Sequence, residues 1–316
     1  MACFLKIAVL LTIIGMLSIS AFAEQRHGIA AFSFDDGYPN WMTAANILKK
    51  HGGVATGYVN NYRIDRGDIT AEMLRTLQDG YGWEIGTHTY GHANAEAFVL
   101  LYGREKWMQE ELLLSLRGLA ALGLKAHSLV FPYNKSTEQL RRDVLAHVSS
   151  FRVNDERSIG AGIRPDGSFP GKALDVAAYI PLSQVLAWID RVHREGSVLF
   201  LYGHQVLPDA EFQIGSVQSV DGGELTSTEP VKPFTDPYIC LVPDMEKGLR
   251  HGISIQKIEG NRILTAKADL SRLTAPGVRF MIGPCMGLRE SDLEAIVTYA
   301  ASRLEFRRMS DLPKDQ

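Results

Sequence analysis

Ile29-Ala30-Ala31-Phe32-Ser33-Phe34-Asp35-Asp36-Gly37 is the stretch on which the fold turns. The run is apolar and β-prone until it meets two carboxylates and a glycine; Asp36-Gly37 is a turn pair, so a strand is predicted from Ile29 to Asp35. Beyond it, Trp41 to His51 shows apolar residues at helical spacing and stops at Gly52-Gly53, and a second strand is predicted from Val54 to Val59. Strand, turn, helix, strand is the βα unit of a parallel sheet.

The alternation continues down the chain for about seven units. Helices are predicted from Thr70 to Asp79, Arg104 to Leu122, Ser136 to His147 and Leu182 to Glu195. Strands are predicted at Gly82 to Thr87, His127 to Phe131, Ser150 to Val153, Ala177 to Ile180 and Val198 to Tyr202. Pro208 to Gly287 then breaks the rhythm with prolines, glycines and short β-like runs such as Ile253 to Ile258 and Arg279 to Ile282, before a helix from Leu288 to Ala301 and a strand from Leu304 to Met309 resume it. An excursion of that length exceeds ordinary loops. The expected fold is α/β, an irregular (β/α)7-type barrel with an inserted β-rich segment before the last helix. An open doubly wound sheet is the competitor, but no glycine-rich dinucleotide fingerprint follows the first strand.

At the amino end, Lys6 precedes an apolar run from Ile7 to Ile19 and then Ser20-Ala21-Phe22-Ala23. A positive region, an apolar region and small residues before a cut site predict a signal peptide over residues 1–23, with an uncleaved anchor as the alternative. The expected division is signal peptide 1–23, barrel 24–207 and 288–316, and inserted segment 208–287. The expected location is secreted or periplasmic, with no stable membrane insertion after cleavage. A net charge of -3 without a Lys/Arg block offers no electrostatic footprint for nucleic acid. Cys3 lies upstream of the cut, leaving Cys240 and Cys285; in an oxidising compartment such a pair tends to close, so a disulfide is predicted, two buried thiols being the alternative.

The chemistry-bearing residues stand at predicted strand ends: Phe34-Asp35-Asp36-Gly37, Thr87-His88-Thr89-Tyr90-Gly91-His92 and Leu201-Tyr202-Gly203-His204. In a (β/α) barrel the C-terminal ends of the strands share one rim, so distant residues converge there. One Asp and two neutral His make a three-ligand set for a divalent ion that leaves positions open for water and substrate. Adjacent carboxylates repel unless a cation compensates, so one can bind while the other acts as base. Taken singly, Asp-Gly is an ordinary turn and a His pair four residues apart is more often structural.

FSFDDG, HTYGH, FPYN and LFLYGH, in this order and spacing, resemble the polysaccharide deacetylase family, carbohydrate esterase family four. The resemblance runs from about Gly28 to Pro208 and resumes in LEAIVTYAASRLEFRRMSDL, which is similar to the family's closing helix and strand; the inserted segment has no counterpart. It implies Asp35 as catalytic base, Asp36, His88 and His92 as metal ligands, and His204 as catalytic acid. It implies that the backbone N–H of Tyr133, after Pro132, faces the oxyanion, and that the cofactor is one divalent ion, zinc or else cobalt or nickel. The partner implied is an acetylated polysaccharide or oligosaccharide of the N-acetylglucosamine type. One departure stands out: the family often has an Arg shortly before the Pro-Tyr pair, where this chain reads Ser128-Leu129-Val130-Phe131. Arg152, at the next strand, is the candidate replacement that would orient the base, an ordinary ion pair being its bland alternative.

Weaker candidates are Trp188 and Asp190, on the helix before the last motif, and Tyr58, Asn60 and Tyr62 after the second strand; core packing is the expectation for Trp188. His27, His51 and His127 are expected to be structural or solvated. Competing functions are a non-haem iron oxygenase, which shares the two-His-one-carboxylate set but needs neither a second Asp nor His204; an O-acetyl esterase or another amide or imide hydrolase on the same fold; and a catalytically silent glycan-binding protein, which would need no acid and base pair.

Overall fold

A computed structural model of the chain describes residues 28–152, 167–169 and 173–313. The predicted signal peptide and His27 lie outside the described residues. Strands are numbered in chain order: β1 Gly28–Asp36, β2 Ala55–Val59, β3 Glu84–Thr87, β4 Ser128–Val130, β5 Ser150–Arg152, β6 Ser168–Phe169, β7 Leu174–Asp175 and β8 Val198–Gly203. They form one parallel sheet in the order β6-β5-β4-β3-β2-β1-β8-β7. The sheet curls into the irregular (β/α) barrel expected from the βα rhythm.

β1 lies inside this sheet and is buried almost throughout, as a run covered on both faces must be. Its period-two alternation sorts side chains between two environments. Ala30, Phe32 and Phe34 join the outer core beneath the helices, with Trp41, Leu48, Trp83 and Ile189, whereas Ala31 joins Tyr58, Val130 and Phe200 in a second cluster. By the same alternation Ser33 and Asp35 point with Ala31. The helix Trp41–Lys50 buries Trp41, Ala44, Ala45, Ile47 and Leu48 on one stripe. Its Trp41 closes on β2 at Gly57, where a Cβ would sit 2.6 Å from the indole.

Met309 and Leu312, just past the last strand, join the Ala31 cluster. Beside them the buried Glu84 accepts hydrogen bonds from Ser128 Oγ (2.7 Å) and the Ser310 N–H (2.9 Å), which ties the end of the chain to β3 and β4.

Three expectations need correction. Ala177–Ile180 is a turn, and the strand in that region is β7, which pairs with β8 through Leu174↔Leu201. The helix expected over Arg104 to Leu122 is interrupted by a π-helical stretch, Met108–Leu113, between Arg104–Trp107 and Leu114–Ala121, and the helix expected over Thr70 to Asp79 is α-helical only over Ala71–Arg75 and turns π-helical over Thr76–Gly80.

The chain leaves β8 through β9 Gln205–Leu207 and returns through β16 Gly287–Arg289, which pair in parallel as a two-stranded ribbon. Between them, β10 Gln213–Asp221, β11 Glu224–Ser227, β12 Ile239–Val242, β13 Ile253–Glu259, β14 Arg262–Thr265 and β15 Arg279–Pro284 close an antiparallel barrel in the order β10-β11-β14-β13-β12-β15. Val217, Leu225, Leu241, Ile263, Phe280 and Ile282 fill it. An apolar seam of Ala177, Tyr179, Phe212, Val242 and Met281 joins it to the parallel barrel. Cys240 of β12 and Cys285, just past β15, are disulfide-bonded, with Cα atoms 4.9 Å apart. β17 Leu304–Phe306 finally pairs with the first three residues of β1, Gly28 to Ala30.

Candidate active site

Every residue singled out at a strand end reaches one rim. Asp35 and Asp36 end β1, His88 follows β3, Tyr133 follows β4, Arg152 ends β5 and His204 follows β8. These residues line a cavity of about 730 Å³ together with His92, Tyr38, Arg63 and Tyr202.

Asp36 turns out of the strand with φ 80°, and His92 has φ 60°. Their side chains meet: His92 Nε2 lies 3.2 Å and His88 Nε2 3.5 Å from Asp36 Oδ1, and the two Nε2 atoms are 3.1 Å apart. His88 Nδ1 faces the Val130 carbonyl at 2.7 Å, so it carries the ring proton and leaves Nε2 with a free lone pair. Burial pushes the His88 pKa down to about 4 against the Asp35 charge, which keeps the imidazole neutral. For Asp36, burial pushes upward, but the His92 hydrogen bond and the neighbouring imidazoles outweigh it and hold the carboxyl well below the usual range. One carboxylate oxygen and two imidazole nitrogens, all within 4.8 Å of one another, fit a divalent ion by number and by type.

The loop carrying the histidines is held from behind. Glu111, buried in the π-helical stretch, accepts a hydrogen bond from the Gly91 N–H (2.9 Å), and its own carbonyl accepts from the Tyr90 N–H (2.9 Å). A Cβ on Gly91 would lie 2.9 Å from Glu111 Oε1. Thr87 Oγ1 accepts from the Thr89 N–H (3.1 Å) and Thr89 Oγ1 from the His92 N–H (3.2 Å). The positive-φ non-glycine residues among the described residues are Asp36, Thr89, His92, Tyr133 and Asn134. Such backbone costs on the order of 1–3 kcal/mol each and persists only where its surroundings enforce it. Its confinement to these three loops marks them as a site.

Asp35 is 2 % exposed and paired with Arg152, which is 1 % exposed. Arg152 Nη2 bonds Asp35 Oδ2, while Nη1 donates to Asp35 Oδ1 (3.3 Å) and Ser33 Oγ (2.9 Å). The rings of Tyr202, Phe200 and Tyr58 surround the guanidinium at 4.8, 5.6 and 5.8 Å. Arg152 thus stands on Asp35 rather than in an ordinary surface pair.

The remaining candidates are placed less tightly. His204 accepts the Trp41 Nε1–H at its carbonyl (2.9 Å), but its Nδ1 is buried without a hydrogen-bond partner among the described residues. Tyr133 is 63 % exposed, follows the buried Pro132, and sets its ring against His92 at 4.8 Å. Asp190 accepts from Tyr299 Oη (2.8 Å) and pairs with Arg303, away from the cavity, and Trp188 packs partly against the outer core. Asn60 and Tyr62 line the cavity, while Tyr58 lies beneath it, bonded to Ser128 Oγ at 3.2 Å. His51 pairs with Glu294 at 3.2 Å.

Sequence reading missed Glu111 and Arg63. Arg63 stacks on Tyr38 at 3.9 Å, donates to its hydroxyl (2.8 Å) and lies 4.0 Å from Asp36 Oδ2. Burial, then the Asp36 charge, push the Tyr38 phenol up to about 12. Also missed were Asp236, Tyr238 and His251, which the antiparallel barrel sends to the cavity wall. Glu111 alone left a signal: with Ser115 it sits on the stripe Trp107, Glu111, Ser115, Leu119, whose apolar members are core.

The profile of a family described as polysaccharide deacetylase matches residues 23–184. No curated protein matches the chain. Among solved structures it is similar to a family 4 carbohydrate esterase from Streptomyces lividans in complex with acetate, at 18% identity and TM-score 0.41, covering 56% of this chain and 79% of that one. It is also similar to BA3943, a CE4 family pseudoenzyme from Bacillus anthracis (13%, TM-score 0.41, covering 57% and 56%). A third is the Bc1960 peptidoglycan N-acetylglucosamine deacetylase (15%, TM-score 0.41, covering 57% and 74%).

Proposed function

The chain belongs to the polysaccharide deacetylase family, and on that premise we propose that it hydrolyses N-acetyl groups on an extracytoplasmic N-acetylglucosamine-type glycan, a linear-amide hydrolase dependent on a divalent metal. The observation that carries this reading is the convergence of Asp36, His88 and His92 within 4.8 Å beside the buried Asp35–Arg152 pair. A divalent ion, zinc or else cobalt or nickel, held by those three residues would polarise the acetamide carbonyl and acidify a water.

Asp35 is then the base that removes the water's proton, oriented by the two-pronged grip of Arg152. Arg152 does the work of the arginine that this chain lacks before Pro132. The Tyr133 N–H, turned by its left-handed backbone, faces the oxyanion. His204 returns a proton to the leaving amine, help that is typically worth about 10² to 10⁴ in rate. The organisation we propose is an exported chain with a signal peptide over 1–23, the catalytic barrel in 24–207 and 288–316, and an inserted segment, 208–287, that walls the site. The Cys240–Cys285 disulfide suits an oxidising compartment.

One observation favours a second reading. Among the described residues His204 Nδ1 has no partner to set its tautomer, as a catalytically silent glycan-binding protein would tolerate. Acetate release from N-acetylglucosamine oligomers by protein stripped and reloaded with zinc, cobalt or nickel decides between them. The deacetylase reading expects metal-dependent release that is lost in Asp36→Ala and His204→Ala; glycan binding without release on any metal supports the silent protein.

A further inference from the structure

A second cavity, of about 600 Å³, adjoins the first. Tyr133, Asn134, Tyr202 and His251 line both, so the two make one groove across the rim. One wall of the second cavity comes from the loop between β12 and β13, which brings Lys247, Arg250 and His251 to it.

This loop is seated firmly. Asp244 Oδ1 accepts hydrogen bonds from the Glu246 N–H (3.0 Å) and the Lys247 N–H (3.2 Å). Gly248, with φ 59°, presses on the parallel barrel so closely that a Cβ would lie 2.3 Å from the Tyr179 carbonyl oxygen. A side chain there would push the loop away, so the glycine holds the cationic residues in place.

Among the described residues that line this cavity the charge is one-sided: Lys135, Lys247 and Arg250 face one carboxylate, Asp175, which already accepts from the Tyr179 hydroxyl and the Ala177 N–H (2.8 Å). Lys247 is paired with Asp244 at 3.0 Å, whereas Lys135 and Arg250 have no ion-pair partner among the described residues. Burial raises the phenols of Tyr179 and Tyr202 and Asp175 adds to it, while the Arg250 charge opposes the rise in both, as a guanidinium facing this cavity must. Trp188 and Tyr202 add aromatic surface of the kind that sites for sugar-sized ligands use.

We propose that this second cavity is a subsite for an anionic sugar: the glycan carries a carboxylate near its acetylated residue, and Arg250 with Lys135 receives it. The inference rests on the deacetylase reading for the acetylated neighbour, and on its own geometry for the charge. A neutral polymer would leave two cations in the groove unused.

The test is binding to the full-length protein in EDTA, where hydrolysis does not compete. Fluorescently labelled oligosaccharides alternating N-acetylglucosamine with glucuronic acid are compared, by anisotropy, with the same oligosaccharides after carboxyl reduction. Two exposed charge-assisted contacts predict about tenfold tighter binding of the charged form, shrinking as salt rises. In Arg250→Glu, an exposed substitution, the ratio should fall to about one or below. Equal affinities in the wild type, no binding of either, or an undiminished preference in Arg250→Glu overturns the subsite. Acetate release from neutral oligomers with zinc restored reports separately on the deacetylase reading.

Discussion

Replacing Arg152 by Met removes the charge facing Asp35 while keeping a long, apolar-compatible side chain in the same space. The side chains of the pair are 1% and 3% exposed, so water cannot take over. Two unit charges about 4 Å apart at an effective dielectric constant of about 20 attract by about 4 kcal/mol. That agrees with the roughly 3–5 kcal/mol lost when one partner of a buried pair is removed and the other is left uncompensated. Arg152→Met and Asp35→Asn should each cost about that much in urea unfolding, measured in EDTA so that metal binding does not contribute. The double variant should cost less than the two losses added together, by about 2–3 kcal/mol. Arg142→Ala is the contrast: its partner Glu138 lies 2.6 Å away, but the side chains are 58% and 83% exposed, so a loss under about 1 kcal/mol is expected. Single variants within about 1 kcal/mol of the wild type, or strict additivity in the double, would refute the view that Arg152 exists to hold Asp35 charged and aimed.

Glu111→Ala frees the Gly91 N–H and lets the turn carrying His92 relax, so divalent-metal affinity should fall about 10–100-fold while the ligands stay intact, read by competition with a chromophoric chelator. In metal-free protein, His88 has its pKa near 4 in the fold and near 6.5 when unfolded. A depressed imidazole has no effect above the unfolded value, and stability is lost as pH falls from about 6.5 to about 4, to a total of about 3 kcal/mol. Urea midpoints in EDTA that stay flat over that window would contradict the buried, neutral ring. Reducing Cys240–Cys285 opens a loop with a sequence separation of 45 and should cost about 4 kcal/mol in the chain-entropy model, seen as a lower melting temperature with reductant.

The residues at the ends of β1, β3 and β8 were legible because two local rules act together. Period-two alternation sends Asp35 inward with Ala31 and Ser33, and parallel strands put their C-terminal ends on one rim. The helix Leu182–Glu195 appears where its apolar spacing put it. Ala177–Ile180 misled because Ala-Ala-Tyr-Ile reads as a buried strand, whereas those side chains are buried against Phe212, Val242 and Met281 of the antiparallel barrel. Partners so distant leave no trace in a local window. The same reason hides His251, Asp236 and Tyr238, whose place at the cavity depends on how the antiparallel barrel docks. Arg152 is intermediate: its strand is only three residues long, and its place at the strand after the one that lacks the arginine is what pointed to it.

The pairing of β1 with β17 has a consequence for the order of events during synthesis. β1 is made first among the described strands, yet the neighbour of Gly28 is Leu304, and its other edge waits for Val198. The antiparallel barrel, by contrast, takes all its strand partners from within Gln213 to Pro284, with two hairpins in that run, β10 with β11 and β13 with β14. Contacts so unequal in sequence separation should form at unequal speeds. The later-made barrel is therefore expected to fold ahead of the one it interrupts, while β1, which β2 pairs only from Phe32 to Asp36, keeps one edge open until Val198–Gly203 is made and its first residues open until Leu304–Phe306 is made.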